Sequence, residues 1–137
     1  MPLVYRLDHQ ARVIVAVAYG KLTDDEVFDY QRHHFKSADA IGYDELIDMT
    51  HVKEIALPST ERVRDLASLA AEMDATHGNS KLAVVAPGDL AFALGRMFQT
   101  TRELDPRSTT EVGVFRTMKE ALAFLAIDHP LALPTWE

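Results

Sequence analysis

The chain has 137 residues, 47% of them hydrophobic, with no cysteine and a formal charge of −7. That length and apolar content suit one domain with a core large enough to stand without staples, and the missing cysteines exclude a disulfide framework and thiolate metal sites. The negative balance, with Lys and Arg scattered along the chain, excludes nucleic-acid binding through a general basic field and fits a well-solvated surface.

Met1–Arg6 lacks the basic stretch, apolar run and small-residue cleavage site of a secretory leader, so a cytoplasmic location is expected. The longest apolar run, around Val13 to Tyr19, falls well short of the ~20 residues of a membrane-spanning helix, so no integral membrane segment is expected. Two strands are predicted first, Leu3 to Asp8 and Arg12 to Tyr19, with His9-Gln10-Ala11 between them at hairpin spacing. In the second, Val13, Val15 and Val17 alternate with Ile14, Ala16 and Ala18, so both faces are apolar and the strand should be central and covered on both sides.

Gly20 breaks that run, and Thr23-Asp24-Asp25-Glu26 has the form of a capping box, with a hydroxyl and a carboxylate each positioned to satisfy a backbone amide of the other. The helix it opens should bury Val27, Tyr30, His34, Ala38 and Ile41, turn Asp29, Arg32, His33 and Lys36 to water, and end at Gly42. Tyr43 to Met49 reads as the third strand, Thr50 to Pro58 as a loop, and Ser59 to His77 as a second helix. That helix has a buried stripe of Val63, Leu66, Ala67, Ala70 and Met73, leaves Arg62, Arg64, Asp65 and Glu72 outside, and stops at Gly78-Asn79.

Lys81 to Ala86 is a short buried strand, Pro87-Gly88-Asp89 a turn, and Leu90, Leu94, Met97 and Thr101 mark a third helix. Glu111 to Arg116 is the last strand, and Thr117-Met118-Lys119-Glu120 a second capping box before Ala121, Leu122 and Leu125. The order β-β-α-β-α-β-α-β-α predicts an α/β fold with a mostly parallel five-stranded sheet. Its first strand is antiparallel and at or near an edge, and its crossovers are right-handed. Residues 1–127 form the expected domain. Residues 128–137 form a tail whose Pro130 and Pro134 rule out an ordinary helix.

This order of elements, with several local phrases, resembles the STAS-like or SpoIIAA-like group, the fold of anti-sigma-factor antagonists and of cytoplasmic regulatory domains of anion transporters. The phrases are Gly20-Lys21-Leu22-Thr23, Leu46-Ile47-Asp48-Met49, Ala83-Val84-Val85-Ala86-Pro87-Gly88-Asp89-Leu90, Arg96-Met97-Phe98, and the run from Val114-Phe115-Arg116 to Ala123-Phe124-Leu125. The likeness spans Leu3 to Ile127. In signalling members a phosphorylated Ser of an Asp-Ser pair starts the helix after the third strand. Here those positions read Ala56-Leu57-Pro58, with Ser59 and Thr60 immediately after, where a hydroxyl ordinarily serves as the helix cap.

The six glycines sit singly at element ends rather than in a Gly-x-Gly-x-x-Gly or Gly-Lys-Ser/Thr loop, so no nucleotide or other cofactor is expected. Among six histidines, His33 and His34 point about 100° apart on a helix, and Asp29 with His33 supplies only two exposed ligands, so no metal is expected. Ligands of open α/β sheets bind beyond the carboxyl ends of the strands. That edge should gather Asp48, Thr50 and His51, then Ser59 and Thr60, Gly88 and Asp89, and Arg116 with Thr117.

Phe92 and Arg96, placed on the outward side of the third helix with Gln99, form a candidate contact patch, and Trp136 with Leu131 and Leu133 gives the tail an apolar strip. The strip should dock on its own sheet or on a second copy, which points to a homodimer. The expected function is a non-catalytic STAS-like module that regulates through a protein partner or binds a small ligand. One alternative is a binder of lipid or another apolar small molecule. The other is a hydrolase-type enzyme using Asp48 and His51 with Ser59 or Thr60, although no Gly-x-Ser-x-Gly elbow surrounds either hydroxyl.

Overall fold

The hairpin forms as β1 (Leu3–Asp8) and β2 (Val13–Leu22), antiparallel, with Leu3 opposite Ala18 and Asp8 opposite Val13. The computed structural model describes residues 3–34, 38–56, 59–77 and 80–135. Trp136, Lys36, Leu57, Pro58, Gly78 and Asn79, and the side chains of His34 and Ala38, lie outside that description. After the hairpin come α1 (Asp24–His34), a single 3-10 turn at Ala38–Ala40, β3 (Asp44–Ile55) and α2 (Thr60–His77). β4 (Lys81–Val85), α3 (Asp89–Leu104), β5 (Glu111–Phe115) and α4 (Met118–Phe124) complete the order.

The sheet runs β1-β2-β3-β4-β5, and every pair after the hairpin is parallel, as the alternation of elements predicts. A strand order that only steps one way, joined by crossovers of one hand, puts every crossover helix on the same side of the sheet. Accordingly the helices α1 and α3 pack on the face made by Ala16, Ala18, Ile47, Met49, Leu82, Val84, Val112 and Val114. The opposite face, with Val13, Val15, Leu46, Ala83 and Val85, is left to α4 and to Leu131 of the tail. Val13 to Ala18 are fully buried, so β2 is covered on both sides as its unbroken apolar run requires.

Three boundaries differ from the sequence reading. Gly20 does not end β2: it takes φ +66° inside a strand that continues to Leu22. β3 runs to Ile55 instead of stopping at Met49, because it carries extra residues where its pairing with β2 shifts register, between Val17 and Tyr19 and between Gly20 and Lys21. Each bulge changes the side-chain period, so Met49, Val52 and Ile55 recur at a spacing of three, which does not look like a strand. α1 is 11 residues long, about 16 Å, enough to recross the short parallel strands, and Ile41 is 55% exposed on the turn that follows.

The inward face of α3 keeps Leu94 of the expected stripe but is otherwise shifted. Ala91, Gly95, Phe98 and Arg102 face inward, whereas Leu90 is 44% exposed. The reason is Gly95: a Cβ there would lie 3.0 Å from Val114 Cγ1, so the bare backbone lets helix and sheet approach. The first capping box forms in full, and the second only in its hydroxyl half. Glu26 N donates to Thr23 Oγ1 at 3.3 Å while Thr23 N donates to Glu26 Oε2 at 3.4 Å, and Thr117 Oγ1 accepts from Glu120 N at 3.2 Å. The tail is irregular and lies on its own sheet. Arg6 Nε donates to the Ala132 carbonyl at 2.6 Å, and the Tyr19 hydroxyl donates to the Pro134 carbonyl at 3.0 Å.

Candidate functional site

α2 packs chiefly against α3, with α1 on its other flank, rather than lying flat on the strands beneath it. Ala67, Ala70 and Ala71 are buried and small, which favours the close helix–helix approach, and a space remains between α2 and the sheet. It is a cavity of about 150 Å³, floored by Ala18, Ile47, Met49, Leu82 and Val84 and roofed by Val63 and Leu66. Its sides come from Val27 and Tyr30 of α1 and from Leu94, Gly95 and Phe98 of α3. A dry apolar cavity of about this size accommodates a benzene-sized molecule, whereas drug-sized ligands need roughly 300 Å³ or more.

Arg62 lines the cavity where α1 and α2 begin. Its Nε donates to Asp24 Oδ2 at 2.8 Å and its Nη2 to Asp25 Oδ1 at 3.1 Å, and the guanidinium lies 4.2 Å above the centre of the Phe28 ring. The hydrogen bond from Arg62 holds the Asp24 carboxyl below the ordinary carboxylate range, and Asp24 raises Arg62 in return. The Thr23–Glu26 box fixes the first turn of α1, so Asp24 and Asp25 meet Arg62 from a rigid position.

Two polar groups interrupt the apolar lining. The Tyr30 hydroxyl donates a short hydrogen bond to Glu45, and burial, then the Glu45 carboxylate, push the phenol well above its usual value. Gln31 is 8% exposed, yet its side-chain amide makes a single weak contact, from Nε2 to Met73 Sδ at 4.0 Å. An amide offers two donors and two acceptor positions, and leaving such a group buried and unpaired costs about 1–3 kcal/mol.

The residues picked from the sequence for the strand-end cleft bond mainly to near neighbours. Asp48 is buried within β3, and its Oδ1 accepts from both the amide and the hydroxyl of Thr50. His51 stacks on Tyr19, 5.2 Å between centroids and 9° from parallel, because the bulge in β3 turns the two rings to the same side. Ser59 Oγ accepts from Arg62 N at 3.2 Å, the ordinary helix-cap bond, and Thr60 is the exposed first residue of α2. Asp48 pairs with Val85 and Val85 with Phe115, so the Arg116 end of β5 is two strands away from Asp48, about 10 Å.

Arg116 Nη1 reaches Pro87 O at 3.0 Å and Asp89 Oδ1 at 2.7 Å, and its guanidinium covers Phe92 at 4.1 Å. Phe92 therefore packs under Arg116 and against the sheet-facing cluster rather than forming an outward patch with Arg96. Arg96 is exposed, with Nη1 donating to Gln99 Oε1 at 2.9 Å. His33 meets the backbone of Asp29 and not its carboxylate: His33 Nδ1 lies 2.7 Å from the Asp29 carbonyl, and the Asp29 carboxylate is 3.7 Å from Arg32. Among the described residues no group of three or more His, Asp or Glu is gathered for a metal, and no helix is long and apolar enough to cross a membrane.

The sequence reading missed Gln31 and Phe28 because they lie on the flank of the α1 stripe defined by Val27 and Tyr30. It placed Arg62 simply outside because an Arg next to an apolar position looks like a solvated one. The signal available was the pairing of Arg62 with the acidic first turn of α1, which only the packing of α2 beside α1 makes meaningful.

No protein-family model matches the chain, and no curated protein matches it. Among solved structures it is similar to an uncharacterized protein of the DUF3478 family with a SpoIIAA-like fold from Shewanella loihica. The identity is 21% and the TM-score 0.53, over 90% of this chain and 93% of that one. With its antiparallel first strand, four parallel strands in sequential order and four helices, the chain has a SpoIIAA-like fold.

Proposed function

We propose that the chain is a non-catalytic module of the SpoIIAA-like fold that binds a small, mainly apolar ligand between its sheet and the helices α1, α2 and α3. The observation that carries this reading is the cavity of about 150 Å³ with a mainly apolar lining, held under α2 and edged by Arg62. An apolar void costs packing energy in proportion to its volume, and a ligand that fills it recovers that energy. The polar residues at strand ends engage one another or cap helices, which gives no support to the hydrolase alternative: the Asp48 Oδ1 bonds run to Thr50 and the His51 ring lies on Tyr19. The hydrogen bond from Tyr19 to the Pro134 carbonyl supports docking of the tail on its own sheet.

Two measurements test the reading. Organic extraction of the purified chain followed by mass spectrometry is expected to release a small apolar compound, or, if the cavity empties during purification, added benzene should shift the amide resonances of Ile47, Met49, Val84 and Phe98. Val63→Phe, which fills the roof of the cavity, should abolish those shifts while the chain stays folded. An unperturbed spectrum with benzene near its solubility limit, and nothing extracted, would overturn the proposal.

A further inference from the structure

Among the polar residues of the mainly apolar lining, Gln31 stands nine-tenths buried with its amide satisfied only by a sulfur contact. Resting on the reading of this cavity as a ligand site, we infer that the ligand is a small neutral amphiphile, an apolar body of about benzene size carrying one hydroxyl that pairs with the Gln31 amide. Three observations select that class. First, the side-chain carbonyl of Gln31 has no hydrogen-bond partner among the described residues, and its Nε2 has only Met73 Sδ at 4.0 Å. A hydroxyl both donates and accepts, so a single group complements the two vacant sides of the amide.

Second, the charge of the lining disfavours an anion. The Tyr30 hydroxyl, which would be the natural donor to a carboxylate, is already given to Glu45, whose negative charge sits just behind it. The one cation of the lining, Arg62, is held by Asp24 and Asp25 at the mouth. A carboxylate ligand would therefore enter a space with no free positive partner and a carboxylate nearby, which is the expensive way to bury a charge. Third, the volume of about 150 Å³ matches a single ring or a short chain. A pure hydrocarbon fits the volume but leaves Gln31 as it is, so the amide discriminates between the hydrocarbon and its hydroxylated counterpart.

Phenol, benzene and benzoate, similar in body and different in one group, separate these possibilities in NMR titrations of the full chain. Phenol is expected to bind, benzoate to bind at least tenfold more weakly than phenol, and Gln31→Leu to weaken phenol about tenfold while leaving benzene within about twofold, since one hydrogen bond contributes on that scale. Gln31→Met serves as a second variant of similar length, and benzene binding reports that the cavity is intact in either. If phenol and benzene respond equally to loss of Gln31, or benzoate binds as well as phenol, the inference about the hydroxyl fails while the apolar site stands. If neither benzene nor phenol binds the unaltered chain, the reading of the cavity as a ligand site fails with it.

Discussion

Asp74, 2% exposed at the far end of α2, shows how one side chain can tie three elements together. Its Oδ2 accepts from Arg102 Nη2 at 2.7 Å and from the backbone amides of Thr109 and Thr110 at 2.8 and 3.1 Å, while Oδ1 accepts from the Thr110 hydroxyl at 3.0 Å. Arg102, 3% exposed, is the buried cation of α3. Asp74→Ala strands that charge and two amides together, so urea denaturation should register a loss of about 3–5 kcal/mol. Arg102→Met should cost less, because the carboxylate keeps its other donors. Asp105 illustrates the same chemistry in water: hydrogen bonds from the Arg107 side chain, then from its backbone, bring its pKa to about 2. Because that value lies below the ordinary 3.8, the stabilisation it represents is complete above about pH 4 and is lost as pH falls toward about 2. Carboxyl carbon shifts of Arg107→Gln should show the Asp105 midpoint rising toward 3.8. None of this pairing is legible in sequence, where Asp74 and Arg102 are polar residues 28 positions apart on two different helices.

At the scale of elements, α4 is the most dependent on its ends. It has seven residues, about two turns, and covers the sheet face that no crossover helix reaches. Thr117 accepts from the Glu120 amide and donates to its carboxylate at 2.9 Å, so Thr117→Ala should lower stability by about 1 kcal/mol, read from the urea midpoint. Beneath α4, Gly113 makes room for rings: a Cβ there would lie 2.6 Å from Phe115 Cζ and 3.2 Å from Phe124 Cζ. Gly113→Ala should therefore cost about 1–3 kcal/mol by overpacking. Both N-caps were legible, because they are local hydrogen-bond patterns of four residues, although at Thr117 the Glu120 carboxylate takes the hydroxyl and not the backbone amide. The bulged half of β3 and the shifted face of α3 were not. A bulge breaks the period of two that identifies a strand, and Gly95 contributes to packing through what it lacks.

Across the whole molecule, two layers are built in different ways. The helical face is covered by three crossover helices, and the other by a short helix plus an irregular tail pinned through Ala132 and Pro134. Truncation after Pro130 should remove both hydrogen bonds and the cover of Leu131, lowering stability by about 2–3 kcal/mol. The urea midpoint measures that loss, and light scattering should show the mass unchanged in step with a tail docked in cis. The sequence by itself determined the element order, the parallel sheet with its antiparallel hairpin, the burial of Val13 to Ala18 and the irregular tail. Each of these follows from periodicity, capping chemistry or proline geometry within a few residues of chain. Only the tertiary structure decided the cavity, the Arg62 ion pairs at its edge and the underpaired amide of Gln31. They arise from the distance α2 keeps from the sheet and from contacts between residues more than 30 positions apart, such as Arg62 with Asp24 and Gln31 with Met73. No local pattern encodes such a distance, because it is set by the summed packing of three helices on five strands.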